Sequence, residues 1–487
     1  MQNLKHEKIK NLGQLKESGY EPRSVKEEIR QNLKAALEGG QNVFEPILGY
    51  DTTVIPDIQR ALLSQHNILL LGLRGQAKTR IARLMVQLMD EFIPIVRGSE
   101  INDDPLAPIS KAARTQIAEL GDDTPVDWIH RDERYVEKLA TPDVTVADLI
   151  GDIDPIKAAN LKLAYSDERV MHFGLIPRAH RGIFVINELP DLQPRIQVAL
   201  FNILQEGDLQ IRGFHIRLPL DIEFVFTANP EDYTNRGSII TPLKDRIESQ
   251  ILTHYPEDPV VGMAITEQEA SISEDQKSIH ISPLIKVIIQ NIVEIARSSE
   301  FTDVKSGVSA RLGISALENL VSTVERRMLI NKEKKGSARL TDLWGVIPSI
   351  TGKVELVYEG EEEGPESVAL SFIQEAIEVA FEGYFKDPEK VKSDENDPYG
   401  VIRAYFQGGN TVDLTNDMKQ SDYEQILNKV KGLDKLIESA NIEKEDQSLF
   451  KELILNGLAS KQVLNRNVID NKVSYEDPLA NMWEDLN

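Results

Sequence analysis

Three short stretches of this chain carry the residue types that phosphate chemistry needs. The first is "GLRGQAKTR" (72–80). It follows the spacing G-x-x-x-x-G-K-[ST], in which backbone N–H groups and a helix N-terminus cradle phosphates. Lys then reaches the outer phosphate oxygens and the hydroxyl serves Mg²⁺. Gly72, Lys78 and Thr79 fit, but Ala77 stands where the second Gly belongs. Gly75 supplies freedom two residues earlier. Ala77 keeps its N–H, so the cradle survives if that position has φ below zero. The alternative is an incidental Gly-rich turn.

The second stretch is "GIFVINELPD" (182–191). Apolar Ile183–Ile186 delivers Asn187 and Glu188 at what reads as a strand end. Nucleotide hydrolysis asks for one group in the Mg²⁺ shell and a carboxylate to activate water. Glu188 fits the general base. Asn187 fits the metal shell through a metal-bound water, because Mg²⁺ keeps several waters. On this reading Glu188→Gln abolishes hydrolysis and traps ATP, while Asn187→Asp leaves it intact or raises it. The third stretch, "FVFTANPEDY" (224–233), ends a strand on Asn229, placed to hold the lytic water or the γ-phosphate. Alone, Asn-Pro is an ordinary turn.

These side chains need a sheet to hold them. Residues 46–255 alternate apolar runs with helical patterns, as in a mostly parallel α/β sheet. The candidate strands are Asn67–Leu71, Phe92–Val96, Ile183–Ile186 and Phe224–Thr227. After Thr79, apolar Ile81, Leu84, Met85, Leu88 and Met89 fall at helical spacing. After Pro194, Ile196, Ala199, Leu200, Ile203 and Leu204 repeat it. Residues 1–45 read as a helical extension stopping at Gly39-Gly40. From 256 strand signals fade and 256–385 reads as amphipathic helices, with a short hairpin in "GKVELVYEGEEEGPE". Residues 386–487 read as a linker and a helical C-terminal region.

The 487 residues suit about three domains. There are 55 basic and 79 acidic side chains, a net charge of −24. That balance argues against a nucleic-acid-gripping surface. With no Cys, thiolate chemistry is excluded. No secretory h-region or membrane-length apolar run is read, so a cytoplasmic protein is expected. The eight His show no metal-ligand spacing, and His130 and His180 read as surface or interface groups.

In this order the motifs resemble the AAA+ ATPases, and within them the magnesium-chelatase I-subunit and MoxR-type group. The resemblance covers about 46–345. "ILGYDTTVIPDIQRALL" is similar to the helix that precedes the phosphate loop and flanks the adenine, at Leu48, Gly49 and Tyr50. "IPIVRGSEINDDP" is similar to the segment after the second strand. "VADLIGDIDPIKA" with "FGLIPRAHRGIFVINELPDL" looks like the helix-two insertion leading into Walker B. "LQIRGFHIRLPLDIEFVFTANPED" looks like a pre-sensor-1 hairpin and sensor 1.

The resemblance implies an αβα core with a parallel sheet, then an all-helical lid and a helical C-terminal region. It implies a ring, usually a hexamer, with ATP and Mg²⁺ at subunit interfaces. Gly72, Arg74, Gly75, Gln76, Ala77, Lys78, Thr79 and Arg80 would hold nucleotide. Thr79 and Asn187 would serve the metal. Glu188 completes Walker B and Asn229 is sensor 1. Arg246, or alternatively Arg236, would be the arginine finger, and Arg311 would act from the lid. The departures are Ala77, Asn187, and Ile247 where the family has Phe. No "GAFTGA" loop is present, so a sigma-factor activator is not expected.

Three functions compete. One is an ATP-driven remodeller acting on a partner, for which a von Willebrand A-type domain protein is expected. The second is a nucleic-acid motor, disfavoured by the acidic balance although Arg212 and Arg217 sit on the hairpin. The third is a non-hydrolysing scaffold marked by Asn187.

Overall fold

The computed structural model describes residues 8–162, 167–206, 208–211, 214–230, 238–391, 397–469 and 472–478. The chain forms two compact units, Met1–His254 and Tyr255–Asn487.

The first unit is built on one parallel sheet. Its strands are Ile68–Leu71 (β1), Tyr135–Leu139 (β2), Gly182–Asn187 (β3), Ile222–Ala228 (β4) and Ser249–Leu252 (β5), in the order β5-β1-β4-β3-β2. Strands β1, β3 and β4 are buried at every residue. Both faces of a covered parallel strand need apolar side chains, hence their unbroken apolar runs. Alternate residues serve opposite faces. Ile68, Leu70, Ile183, Val185 and Val225 share one core with Val25–Glu38 (α1), Val54–Leu63 (α2) and Lys78–Leu84 (α3). Leu69, Leu71, Phe184, Ile186, Phe224 and Phe226 share the other with Pro194–Glu206 (α4). Each such buried side chain contributes about 1.5–3 kcal/mol.

Three expectations are corrected in this unit. Phe92–Val96 lies outside the parallel sheet and pairs antiparallel with Val126–His130 as a two-stranded ribbon. Pro94 within it has no N–H for a second neighbour, which suits a ribbon better than a sheet interior. Its expected place in the sheet goes to β2, "YVEKL", whose half-exposed residues hide the strand signal. The helix after the phosphate loop ends at Leu84 and continues as a 3₁₀ turn, Met85–Leu88, although Ile81, Met85, Leu88 and Met89 are buried as their spacing predicts. His180 is not at the surface: it is 4% exposed, and its Nδ1 accepts the Asp221 N–H at 2.9 Å. Two antiparallel hairpins, Gly151–Ile153 with Met171–Phe173 and Asp208–Ile211 with Phe214–Arg217, stand where the two insertions were read.

The second unit packs Pro283–Ser298 (α5), Arg311–Asn331 (α6), Pro365–Tyr384 (α7) and Gln447–Ser460 (α8) around one apolar cluster. Residues as late as Val473 and Tyr475 belong to it. Helices α7 and α8 meet closely, since a Cβ on Gly457 would lie 2.2 Å from the Phe381 ring. The expected hairpin in 352–366 is instead a helix, Tyr358–Glu363, that turns at Gly364 (φ 96°) into α7. A three-stranded antiparallel sheet, Val412–Thr415, Asn465–Ile469 and Lys472–Glu476, adds to the helices of the C-terminal region. Its strands are short and mostly polar, so they leave little trace in the sequence. No helix among the described residues is long and apolar enough to cross a membrane.

Candidate functional site

The three sequence stretches meet where β1, β3 and β4 end. Ligands of open parallel sheets bind at this carboxyl edge. The chain leaves β1 through Gly72, whose N–H donates to Ala228 O at 3.1 Å. Only Gly fits there: a Cβ would lie 1.9 Å from Thr253 Oγ1 and 2.2 Å from Gln76 Oε1. Those two atoms are hydrogen-bonded at 2.6 Å, which ties the loop to the exit of β5.

The loop curls through left-handed residues at Gly75 (φ 74°) and Ala77 (φ 57°). The condition of a φ below zero at Ala77 is therefore not met. The second-Gly position does require a left-handed turn, and Ala77 adopts it at a cost of about 1–2 kcal/mol. Curled backbone of this kind turns successive N–H groups to one side, as an anion requires. Arg74 is exposed on the loop, and Arg80 is half-buried in the first turn of α3.

Lys78 opens α3 and is only 8% exposed. Its Nζ donates to Gly72 O, to Leu73 O at 3.0 Å and to Asn229 Oδ1 at 2.7 Å. Asn229 Nδ2 donates in turn to Glu188 Oε2 at 3.1 Å. Asn229 thus joins the loop lysine to the carboxylate at the exit of β3. Glu188 takes a left-handed conformation (φ 56°), and its N–H donates to Thr227 Oγ1 at 3.2 Å. Strained backbone at such a point re-aims a side chain and marks functional sites.

Asn187, the last residue of β3, is 8% exposed. Its Nδ2 donates to Glu137 Oε1 at 2.7 Å. Its Oδ1 accepts from Thr79 Oγ1 at 3.3 Å and Thr227 Oγ1 at 3.1 Å. The carboxylate is itself held: Glu137 Oε2 accepts from Tyr135 OH and Arg83 Nε, each at 3.0 Å. The bonds to Glu137 hold the Arg83 guanidinium more firmly charged than usual. Burial, then the Glu137 charge, pushes the Tyr135 hydroxyl up.

Tyr50 is buried, with its OH 2.7 Å from His254 O and 3.2 Å from Gln76 O. This fastens the segment before α2 to the phosphate loop, with Leu48 and Gly49 half-buried beside it. The site thus brings together Tyr50, Gly72, Gln76, Lys78, Thr79, Asn187, Glu188 and Asn229. It does not include Arg246, whose partners are Asp245 Oδ2 at 2.5 Å, Gln205 Oε1 at 3.4 Å and the Phe201 ring. Arg311 begins α6 in the second unit and is exposed. Arg236 and Arg212 lie outside the described residues.

Sequence reasoning missed Glu137, Arg83, Thr227 and Thr253. Thr227 precedes Ala228-Asn229 in the third stretch and received no role. The others had no detectable signal, because their strands or helix positions are ordinary. The residues fit the expected ligands. The curled loop and Lys78 suit phosphate oxygens, and two neutral oxygens on Thr79 and Asn187 suit Mg²⁺ bound largely through water and phosphate.

An AAA domain family model (dynein-related subfamily) matches residues 127–247. The magnesium-chelatase 38 kDa subunit of Cereibacter sphaeroides is 26% identical over 194 residues, covering 39% of this chain and 52% of the relative. Its counterpart in Rhodobacter capsulatus is 25% identical over 214 residues, covering 43% and 55%. The chain spans about half the length of these curated relatives. A cryo-EM-based structure of the complex between subunits BchI and BchD of magnesium chelatase is 18% identical, with a TM-score of 0.34, covering 66% of this chain and 98% of that one. The parallel sheet, the ordered motifs at its carboxyl edge and these sequence matches together support an AAA+ protein related to magnesium-chelatase subunit I.

Proposed function

We propose that the chain is a ring-forming motor that binds and hydrolyses ATP to remodel or activate a partner protein. The observation that carries this reading is the row Lys78–Asn229–Glu188, joined at 2.7 and 3.1 Å. It would align an ammonium, an amide and a carboxylate on one reacting phosphate. Bound ATP with Mg²⁺ would supply the phosphoryl group and neutralise its charge. Lys78 would exchange its loop carbonyls for phosphate oxygens. Glu188 would accept the proton of the attacking water, and Asn229 keeps that carboxylate in place. Thr79 and Asn187 would meet the metal's side of the site.

A ring, with six copies the expected number, would place Arg246 of a neighbouring copy on the phosphates. Its half-buried position and its partners outside the Lys78 cluster suit a role in trans. Arg236 is the alternative, and Arg311 would act from the second unit. A protein with a von Willebrand A-type domain is the proposed partner, and the cytoplasm the proposed compartment. Maturation of a complex or metal insertion are the outcomes this motor would drive.

Phosphate release by the full chain tests the reading. Mg²⁺-dependent turnover is expected, and Glu188→Gln should reduce it by roughly 10²–10⁴-fold while ATP stays bound. No turnover in an assembled ring at any protein concentration would overturn the motor and leave a nucleotide-dependent scaffold.

A further inference from the structure

Asn187 departs from the carboxylate usual at its position, and the structure gives a reason. Its Nδ2 sits 2.7 Å from Glu137 Oε1. An ionised carboxylate has only acceptors, so the amide must present its N–H₂ to Glu137 and its oxygen to the other side. That other side holds the Thr79 hydroxyl at 3.3 Å and the Thr227 hydroxyl at 3.1 Å. The Thr227 hydroxyl accepts the Glu188 N–H, so its own proton is free for Asn187 Oδ1. The amide has one orientation that satisfies these partners together.

Glu137 has little freedom of its own. Arg83 reaches both its oxygens, at 3.0 and 3.3 Å, and Tyr135 OH holds one at 3.0 Å. Arg83 lies one turn beyond Thr79 on α3, and Glu137 lies on β2 beside β3. The helix that carries the phosphate loop and the neighbouring strand therefore clamp the same amide.

We infer that Glu137 is the positioning residue of the metal side of the site. It turns the Asn187 oxygen toward Thr79 and supplies, one contact further out, the negative charge that Asn187 lacks. Asn187 is then not a tolerated loss. With Glu137 in place, Asn187→Asp would set two acceptor-only groups in contact and remove the N–H₂ that now joins them. This reverses the expectation that Asn187→Asp is harmless. Adding Glu137→Gln should rescue it, because the amide introduced at 137 can donate to the carboxylate introduced at 187.

The inference rests on reading the site as a nucleotide site, and a four-protein cycle separates the two. Wild type, Glu137→Gln, Asn187→Asp and the double variant are made in the full chain. Melting is followed without nucleotide, and affinity for a fluorescent ATP analogue is measured in Mg²⁺ and in EDTA. Groups that orient a metal ligand typically affect affinity 10–100-fold, so Glu137→Gln should weaken binding about tenfold in Mg²⁺ and leave binding in EDTA unchanged. Asn187→Asp should lower the nucleotide-free melting temperature by about 3 °C. The double variant should return to within about twofold of wild type in Mg²⁺, the non-additivity expected of contacting groups. The inference is overturned if Asn187→Asp melts and binds like wild type, or if the double variant shows the summed losses. If wild type binds the analogue in neither buffer, the nucleotide reading fails instead, and the melting cycle alone decides the pairing.

Discussion

The two edges of the parallel sheet handle buried polar groups in opposite ways. At the amino edge, charge meets charge. Arg134, 1% exposed, donates to Glu28 Oε1 at 2.9 Å and Oε2 at 2.6 Å, and to Arg181 O at 2.8 Å. Arg181 pairs with Asp104 at 2.9 Å and with Tyr20 OH at 2.8 Å. At the carboxyl edge, the Lys78 ammonium is met by two peptide carbonyls and an amide oxygen. Replacing neutral acceptors with phosphate oxygens strengthens each bond, whereas a ligand cannot displace a bidentate Arg–Glu pair on favourable terms. The amino edge is thus closed and structural. The carboxyl edge is poised for an anion.

The sharpest way to break this comparison is Glu28→Ala. Removing one partner of a buried ion pair leaves the other charged in a low dielectric, which costs about 3–5 kcal/mol. Urea unfolding should show that loss, with ATP affinity of the folded protein unchanged. A loss below about 1 kcal/mol would mean that the pair is as solvated as a surface bridge, and the amino edge would no longer count as closed.

The amino edge also carries a pH signature. Burial pushes the Glu223 carboxyl up to about 8, and Asp221 up to about 6. Burial, with Arg181 nearby, pushes His180 down to about 4. Between its ordinary value of 4.5 and about 8, folded Glu223 holds more proton than the unfolded chain. Stability from this group is full below that window, is lost as pH rises through it, and is flat above. His180 and Asp221 act in opposite directions and only at lower pH, so the loss above pH ~6.5 belongs to Glu223. Among the described residues one Glu223 oxygen is buried without a hydrogen-bond partner, so little there favours the charged form. Glu223→Gln should flatten the decline and stabilise the protein at pH ~8.5 by up to about 2 kcal/mol. Parallel melts of both proteins at pH ~6.5 and ~8.5 measure this. A steeper decline in the variant would show that ionised Glu223 is stabilised by Lys26, 4.0 Å away.

The sequence made the carboxyl edge legible because its chemistry sits at fixed spacings on apolar strands. Gly72, Lys78, Thr79, Glu188 and Asn229 could all be named, since each closes or follows a strongly patterned element. Glu137 could not, because its strand is half-polar and its partner lies 50 residues on. The amino edge was illegible for a related reason. Glu28 and Arg134 are 106 residues apart, and each alone looks like a surface charge. Pairing is a property of the sheet's strand order, which local periodicity does not encode. The left-handed turn at Ala77 is hidden for another reason: Ala rarely adopts it, so the residue type does not announce the turn that the loop demands.

Ala77 yields the smallest effect and tests how strain is tolerated at the open edge. A left-handed Ala costs about 1–2 kcal/mol, which argues for Gly. Yet Ala77 is half-buried and packs against the core shared by α1–α3 and β1, and one buried methyl contributes about 0.8 kcal/mol. Gly would also free the unfolded chain, at a further cost of about 0.4–1 kcal/mol. The terms nearly cancel, so Ala77→Gly should move the melting temperature by less than about 3 °C. Its ATP affinity should stay within about threefold of wild type, since a cancelled balance of about 0.6 kcal/mol is that factor. Ala77→Val keeps the strain and adds a branched Cβ, so it should lose both stability and affinity. If Ala77→Gly instead binds ATP far more tightly, the backbone of the loop is held back by Ala77, and the carboxyl edge is restrained rather than poised.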